Sequence, residues 1–556
     1  MKMALALLFS IGLYLCTAPY TLAHTYYISS KGNDANTGTT TASAWRSIAK
    51  ANKHRYSPGD SLLLEGGYTF SGGLYFHQEN LQGEGAPLVI SSYGEGRATI
   101  DAGDSYGFYA YNVAGIEIRD LNFRGSGYTR NTNHGILFYN DLPGDVKLPH
   151  IVIDQVEVSG FRKSGITLGA WNGNSGFRDA RITKAVVHDI DSVGINTYGQ
   201  FDHTKTGYAH QNIYIGHCHV YKIYGLILPD KHSGSGIVLS DVDGSTIEHS
   251  VVHTSGMQNK NCGGPIGIWA WDANNITIQY NEAYNMSAGS GCDGGGFDLD
   301  GGVSNSVMQY NYSHDNDGAG FLIAQFEWAR PMRNNIIRYN ISENDGRKND
   351  YKGITLWVEN HERGGNLDLL VYNNTIFADS AVAPSGGGVF FKSGGHHNVR
   401  FFNNIFYSRN GAPMLVATDT TMDVSFHHNA YYSEDGRYTF VWGDVRYTSL
   451  PDFQAATGQE AINGSPTGMV ADPQLQAPGT AGTLGYPLDL QALRDRYSPQ
   501  KKSPLIDKGI AVPLPPSFAP ATEDIFGNQI ESTAAPDIGA VSYTRPKFFQ
   551  LLKELF

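Results

Sequence analysis

The stretch GIWAWDANNITIQYN, residues 267 to 281, decides how this chain folds, because GFDLDGGVSNSVMQYN at 296 to 311 repeats its plan. Each opens on glycine, alternates apolar with other side chains, crosses a turn rich in Asn, Ser or Gly, and closes on a second strand ending in Tyr-Asn. Working outward, the same opening recurs in GILFYN, GITLGA, GINTYG, GIVLSD, GFLIAQ, GITLWV and GVFFKS. The residue after the glycine is Ile136, Ile166, Ile195, Ile237, Ile268, Phe297, Phe321, Ile354 and Val389 in turn, at spacings of 24 to 42 residues. Short alternating strands at a near-constant period, separated by turn residues, describe an all-β parallel solenoid in which each coil stacks on the next. The strand endings YN, YN, YN, YN and FN predict an internal side-chain ladder of Asn281, Asn311, Asn340, Asn373 and Asn403. Several of these lie in N-x-[ST] sequons, but the repeat accounts for them better than glycosylation does.

Length and charge bound the partners. The chain has 556 residues with 40 basic and 53 acidic side chains, a formal charge of -13, which disfavours a broad nucleic-acid surface. Residues 1 to 23 read as a secretory signal: Lys2, the apolar run ALALLFSIGLYLC, then TLA before His24. The expected location is therefore outside the cytoplasm, extracellular or periplasmic, and no later apolar run is long enough to span a bilayer. Past the signal, Cys218, Cys262 and Cys292 remain. Cys262 and Cys292 lie one repeat apart and are expected to form a disulfide on neighbouring coils; Cys218 falls in an apolar column and reads as a buried thiol. Residues 24 to 70 are assigned to an N-terminal cap with a short helix near 44 to 52. Coils follow from 71 to 435, and a Pro/Gly-rich extension packed on the solenoid runs from 436 to 556. PKFFQLLKELF at its end could be a short amphipathic helix. A monomer is expected.

The chain resembles the right-handed parallel β-helix superfamily that contains pectate lyases, polygalacturonases and related polysaccharide-active enzymes. The repeat carries that resemblance, as do TYYISSKGNDANTGTTTASAWRSIAKA and SPGDSLLLEGGYTF at the start, and SPLIDKG, DIFGN and DIGAVSY near the end. It implies the fold over most of the chain. The superfamily holds hydrolases, lyases, epimerases and inert binders, so the reaction must come from the site.

Alternation sets side-chain direction: the first and third residues of each strand point inward, the second and fourth outward. The outward columns read Val238 and Ser240, Trp269 and Trp271, Asp298 and Asp300, Leu322 and Ala324, Thr355 and Trp357, Phe390 and Lys392. Two indoles thus stand one coil from two carboxylates, an arrangement suited to the C–H faces and hydroxyls of sugars. Asp298 and Asp300, two apart on one strand, are separated by about 6.6 Å, near the range for inverting glycoside hydrolysis, in which one acid protonates the leaving oxygen and the other activates water. Asp293 crowds them and is expected to raise one pKa. Catalysis is accordingly assigned to Asp298 and Asp300, with Asp293 tuning them. Trp269, Trp271, Asp272, Trp357, Lys392, Glu327 and Arg330 are assigned to substrate binding. Asp315 and Asp317 read as turn aspartates.

A glycoside hydrolase needing no cofactor, acting on a polysaccharide or oligosaccharide, is the leading expectation. The alternative is a polysaccharide lyase whose aspartates hold Ca²⁺ while Lys392 or Lys352 removes a proton. CDGGGFDLDGG lacks the adjacent aspartate pair of pectate-lyase calcium sites, which weighs against it. A third reading is a non-catalytic glycan-binding solenoid.

Overall fold

Each strand of the repeat pairs in parallel with its equivalent one coil on. In the computed structural model, which describes residues 23–81, 85–360, 365–530 and 535–544, Ile136, Ile166, Ile195, Ile237, Ile268, Phe297, Phe321, Ile354 and Val389 form one unbroken register column. All nine are fully buried, each burial worth roughly 1.5–3 kcal/mol, and Phe297 stacks on Phe321 with centroids 5.4 Å apart. The signal segment up to residue 22 and PKFFQLLKELF lie outside the described residues. The strands form two long sheets, of 27 and 14 strands. The larger holds two faces of the solenoid because strands such as Ile266–Gln279 run through a bend, at Asp272 and Asn275, without breaking their pairing.

Stacking starts earlier than the segment boundaries anticipated. Strand Thr25–Ile28 already pairs with Ser61–Glu65, and that with Leu88–Tyr93, so the first coil lies inside residues 24 to 70. The covering helix there is a single turn, Ile48–Ala51, capped by Ser47 and burying Ile48 and Ala51. At the other end Phe453 of helix Leu450–Thr457 stacks on Phe440 at 5.0 Å, closing the last coil.

The buried amide ladder exists with one correction. Asn281, Asn311, Asn340, Asn374 and Asn404 each donate from the side chain to the next side-chain oxygen at 2.9–3.1 Å, ending on Asn429. Asn373 and Asn403 occupy instead the left-handed bend position that Tyr280, Tyr310 and Tyr339 hold in earlier coils. Their side chains turn outward, donating to Asp537 and Gly539 carbonyls and to the Ile510 carbonyl. Tyr-Asn and Asn-Asn place different letters at the same bend, and asparagine tolerates that backbone region well.

From about residue 471 the extension runs back along the outer face. Leu493, Tyr497, Leu505, Ile525 and Ile538 pack against Tyr310, Tyr339, Tyr372 and Ile405. Tyr497 donates to Glu343 at 2.6 Å, and the Leu484 amide donates to Glu282 at 2.7 Å. Beneath this contact His314 is buried between Glu282, at 3.1 Å, and Asp315, at 2.8 Å. Burial opposes its charge, but the hydrogen bonds and charges of these carboxylates outweigh it and push the imidazole up to about 9. A histidine raised above its unfolded value near 6.5 contributes stability that is complete below pH 6.5 and is lost as pH rises through 9. Urea unfolding should therefore show stability falling between pH 6.5 and 9, by roughly 3 kcal/mol at most. His314→Gln should flatten that slope; an unchanged slope would remove His314 as its source.

Candidate active site

The glycines of GCDGGGFDLDGG are a packing requirement. A Cβ on Gly296 would lie 2.2 Å from Ser313 Oγ, and one on Gly294, at φ +79°, would lie 2.5 Å from the Ala288 amide nitrogen. Just before them Cys262 and Cys292 are bridged, as their spacing predicts, which ties the turn carrying Asp293 to the preceding coil. Asp293 accepts a hydrogen bond on each oxygen, from the Gly264 amide and from the Tyr351 hydroxyl. Tyr351 lies two coils further on and reaches Asp293 past a turn built of Gly318, Ala319 and Gly320.

Strand Gly295–Leu299 buries Phe297 and Leu299 and turns Asp298 to the outer wall, in register between Trp269 and Leu322. Asp300 follows, its amide donating to the Ala270 carbonyl at 2.9 Å. The columns read from the sequence are these columns, yet the wall is not uniformly open. Ile266, Ala319, Leu322, Ala324 and Tyr351 form an outer apolar cluster against which Trp269 and Trp357 pack, and Asp298 is only 2 % exposed. Asp298, expected to stand exposed beside Asp300, is therefore covered, and the carboxylates with exposed surface are Asp293 and Asp300.

Electrostatics separates the three acids. Burial, then Asp300 and Asp293, holds the Asp298 carboxyl well above the usual range. Among the described residues its Oδ1 has no hydrogen-bond partner, and neither has the indole nitrogen of Trp269, its in-register neighbour. Asp300 is pushed up to about 7 by burial and by Asp293 and Glu359, against a hydrogen bond of 2.6 Å from the Gly301 amide. Asp293 is held instead by the two hydrogen bonds that its oxygens accept. The wall thus carries an acid that changes charge near neutrality beside a carboxylate oriented by two donors.

Other assigned residues are distributed differently. Asp272 and Arg330 leave the wall altogether. Asp272 is fully buried, Arg330 is 7 % exposed, and the guanidinium bonds Asp272 at 2.5 Å while lying 3.6 Å from Asp241 and 3.9 Å from the centre of the Tyr208 ring. Lys205 completes the network on Asp241 at 2.5 Å. These charges pin two long turns, near 200–208 and 326–331, to the solenoid. Trp271 lies under the same turns, 5.6 Å from Phe201 and 6.3 Å from Phe326 by ring centres. Glu327 receives a hydrogen bond from Asn360 at 3.4 Å, and its amide donates to Glu359.

Lys352 is buried, its ammonium bonding the Asp350 and Ser385 carbonyls, and burial lowers its pKa to about 8. It cannot serve as the proton-removing lysine of a lyase from that position. Lys392 is exposed, 5.1 Å from the Tyr351 ring centre. Asp315 and Asp317 are turn residues as expected, paired with Arg347 and Lys348. Tyr351 and Glu359 escaped sequence reasoning. Tyr351 sits in the turn before its coil as Asp293 does before its own, and that equivalence was the available signal. Among the described residues no three His, Cys, Asp or Glu side chains converge closely enough to hold a metal ion.

A family model described as a right-handed beta helix region matches residues 194–361, the part of the chain that holds all three aspartates, Tyr351 and Glu359. The match covers the central coils of the right-handed parallel β-helix fold described above. The chain is similar to a lacto-N-biosidase of Bifidobacterium longum subsp. longum, 26 % identical over 93 % of this chain and 36 % of that protein. It therefore spans about a third of the length of that curated relative. Crystal structures of the GH136 lacto-N-biosidase from Eubacterium ramulus superpose with TM-scores of 0.52 and 0.50 at 18 % identity. The first covers 73 % of this chain and 67 % of that one. At that identity the superposition describes the shared β-helix fold.

Proposed function

We propose that this protein is a secreted glycoside hydrolase that cleaves a lacto-N-biose-type glycan with Asp300 as proton donor and Asp293 as the opposing carboxylate. The observation that carries the reading is their difference in environment: two partly exposed acids on one wall, one pushed up to about 7, the other held by two hydrogen-bond donors. Similarity to a lacto-N-biosidase over nearly the whole chain supports the substrate class. The disulfide suits an oxidising compartment and supports export. Trp357 and Lys392 stand further along the same wall and would contact the sugar with Trp269, while Asp298 tunes its neighbours from beneath. The inverting expectation rested on Asp298 and Asp300 and does not carry over to Asp293 and Asp300, which flank opposite ends of strand Gly295–Leu299.

The test is incubation of the purified protein with p-nitrophenyl lacto-N-bioside and a polysaccharide panel, with and without EDTA. Reducing ends released in both conditions, without the ultraviolet band of unsaturated uronates, are expected. A calcium-dependent band would replace this reading with a lyase, and silence across the panel with a binding protein. Proton NMR of the first product anomer assigns retention or inversion. Because Asp300 must carry its proton to act, kcat/KM should fall as pH rises through about 7. A profile flat from pH 6 to 9 would exclude Asp300 as the donor.

A further inference from the structure

We infer that the coils preceding the carboxylates present an aromatic strip that binds sugar residues of an extended glycan beyond those at the scissile bond. The inference rests on the glycan reading above and adds a second binding region to it. The outward column that contains Trp269 and Asp298 continues back through Val238, Asn196, Thr167 and Leu137 to Tyr109. Beside it, Tyr111 pairs with Tyr139 and their rings stack at 6.2 Å; Tyr139 pairs with Gly169, and Gly169 pairs with Tyr198.

Gly169 is what makes the row continuous. A Cβ there would lie 2.4 Å from the Tyr198 ring, so that ring occupies the place a side chain on this coil would take. Trp171, 55 % exposed, stands 6.4 Å from Tyr198 at the edge of the row. Tyr198 and Tyr139 lie three and five coils from the acid strand, about 14 and 24 Å at the usual spacing, which is the reach of several sugar residues.

The chemistry selects the occupant. In the adjoining columns Asn196 and His134, both partly exposed, are held by the buried hydroxyls of Thr167 and Ser164 at 2.6 Å each. Tyr111 donates to Asp141 at 3.0 Å. Partly exposed rings beside imidazole, amide and carboxylate groups match the C–H faces and hydroxyls of a saccharide better than the apolar face of a protein partner. The register columns shared with the carboxylate strand set the direction, along the solenoid axis.

The test uses full-length protein carrying Trp171→Ala, Tyr139→Ala or both, with oligosaccharides of one, two and three lacto-N-biose units and a general glycan array as probes. Wild type should cleave the longer probes with higher kcat/KM, and the double variant should lose at least tenfold on them while matching wild type on p-nitrophenyl lacto-N-bioside. Equal loss on short and long probes, or none on either, overturns the strip and leaves the hydrolase reading intact. Calorimetric binding to Asp300→Asn protein separates the converse case. Affinity that rises with chain length and falls with Trp171→Ala supports the strip even if no probe is cleaved. No length-dependent binding to any glycan on the array overturns it. Trp171→Ala alone, at an exposed position, guards against misfolding of the Tyr139 variant.

Discussion

Asp300→Asn and Asp293→Asn should each lower kcat/KM by about 10²–10⁴-fold, the usual worth of a positioned acid or carboxylate, with the circular dichroism spectrum unchanged. Both residues lie at the margin of strand Gly295–Leu299 and are partly exposed, so an isosteric amide leaves the inward Phe297 and Leu299 in place. Asn at position 300 cannot donate the proton, and a substrate whose leaving group needs no protonation should recover much of the loss. Asn at 293 would present one donor where Gly264 and Tyr351 already present two, so its loss should not be rescued that way. The double variant should cost little more than the worse single one, because the two act on one transition state. Asp298→Asn should cost less than either, since that side chain is 2 % exposed and acts through its neighbours. If Asp298→Asn alone abolishes turnover while Asp293→Asn retains it, the working pair is the one expected from strand alternation.

The largest effect on stability is expected at Arg330. Arg330→Ala leaves Asp272 fully buried with its main partner gone and strips the Gly207 carbonyl of a 2.9 Å hydrogen bond, a change of roughly 3–5 kcal/mol. Guanidinium-chloride unfolding should register it as a lower midpoint. Removing the pair together, as Asp272→Ala with Arg330→Met, should recover most of the loss, because the stranded charge rather than the missing attraction dominates the cost. A single-variant loss under about 1 kcal/mol, the range of exposed ion pairs, would show that water reaches this network.

The contrast between these two groups of residues shows what could be read from the chain. Period-two alternation determines which face a side chain leaves by, and each column from Val238 to Phe390 follows it. Alternation says nothing about what lies above that face. Asp298 is covered because an apolar cluster from neighbouring coils closes around it, and Tyr351, 58 residues away, reaches back to Asp293. Asp272 and Arg330, also 58 residues apart, pair through a long turn whose path no periodicity encodes. The slip from Asn373 and Asn403 to Asn374 and Asn404 has a similar origin: the bend is a backbone property, and the letter filling it changes from coil to coil.

The C-terminal extension bears on how such a molecule comes apart. A linear array touches only nearest neighbours, and it can fray from either tip one unit at a time. Here the polypeptide leaves the final coil, doubles back, and fastens Tyr486 onto His219 by ring stacking at 4.7 Å and onto the His217 carbonyl at 2.7 Å. That belt buckles the tail end of the array to its middle, so the last coils cannot peel off while it holds, and denaturation of this half should be a single concerted event.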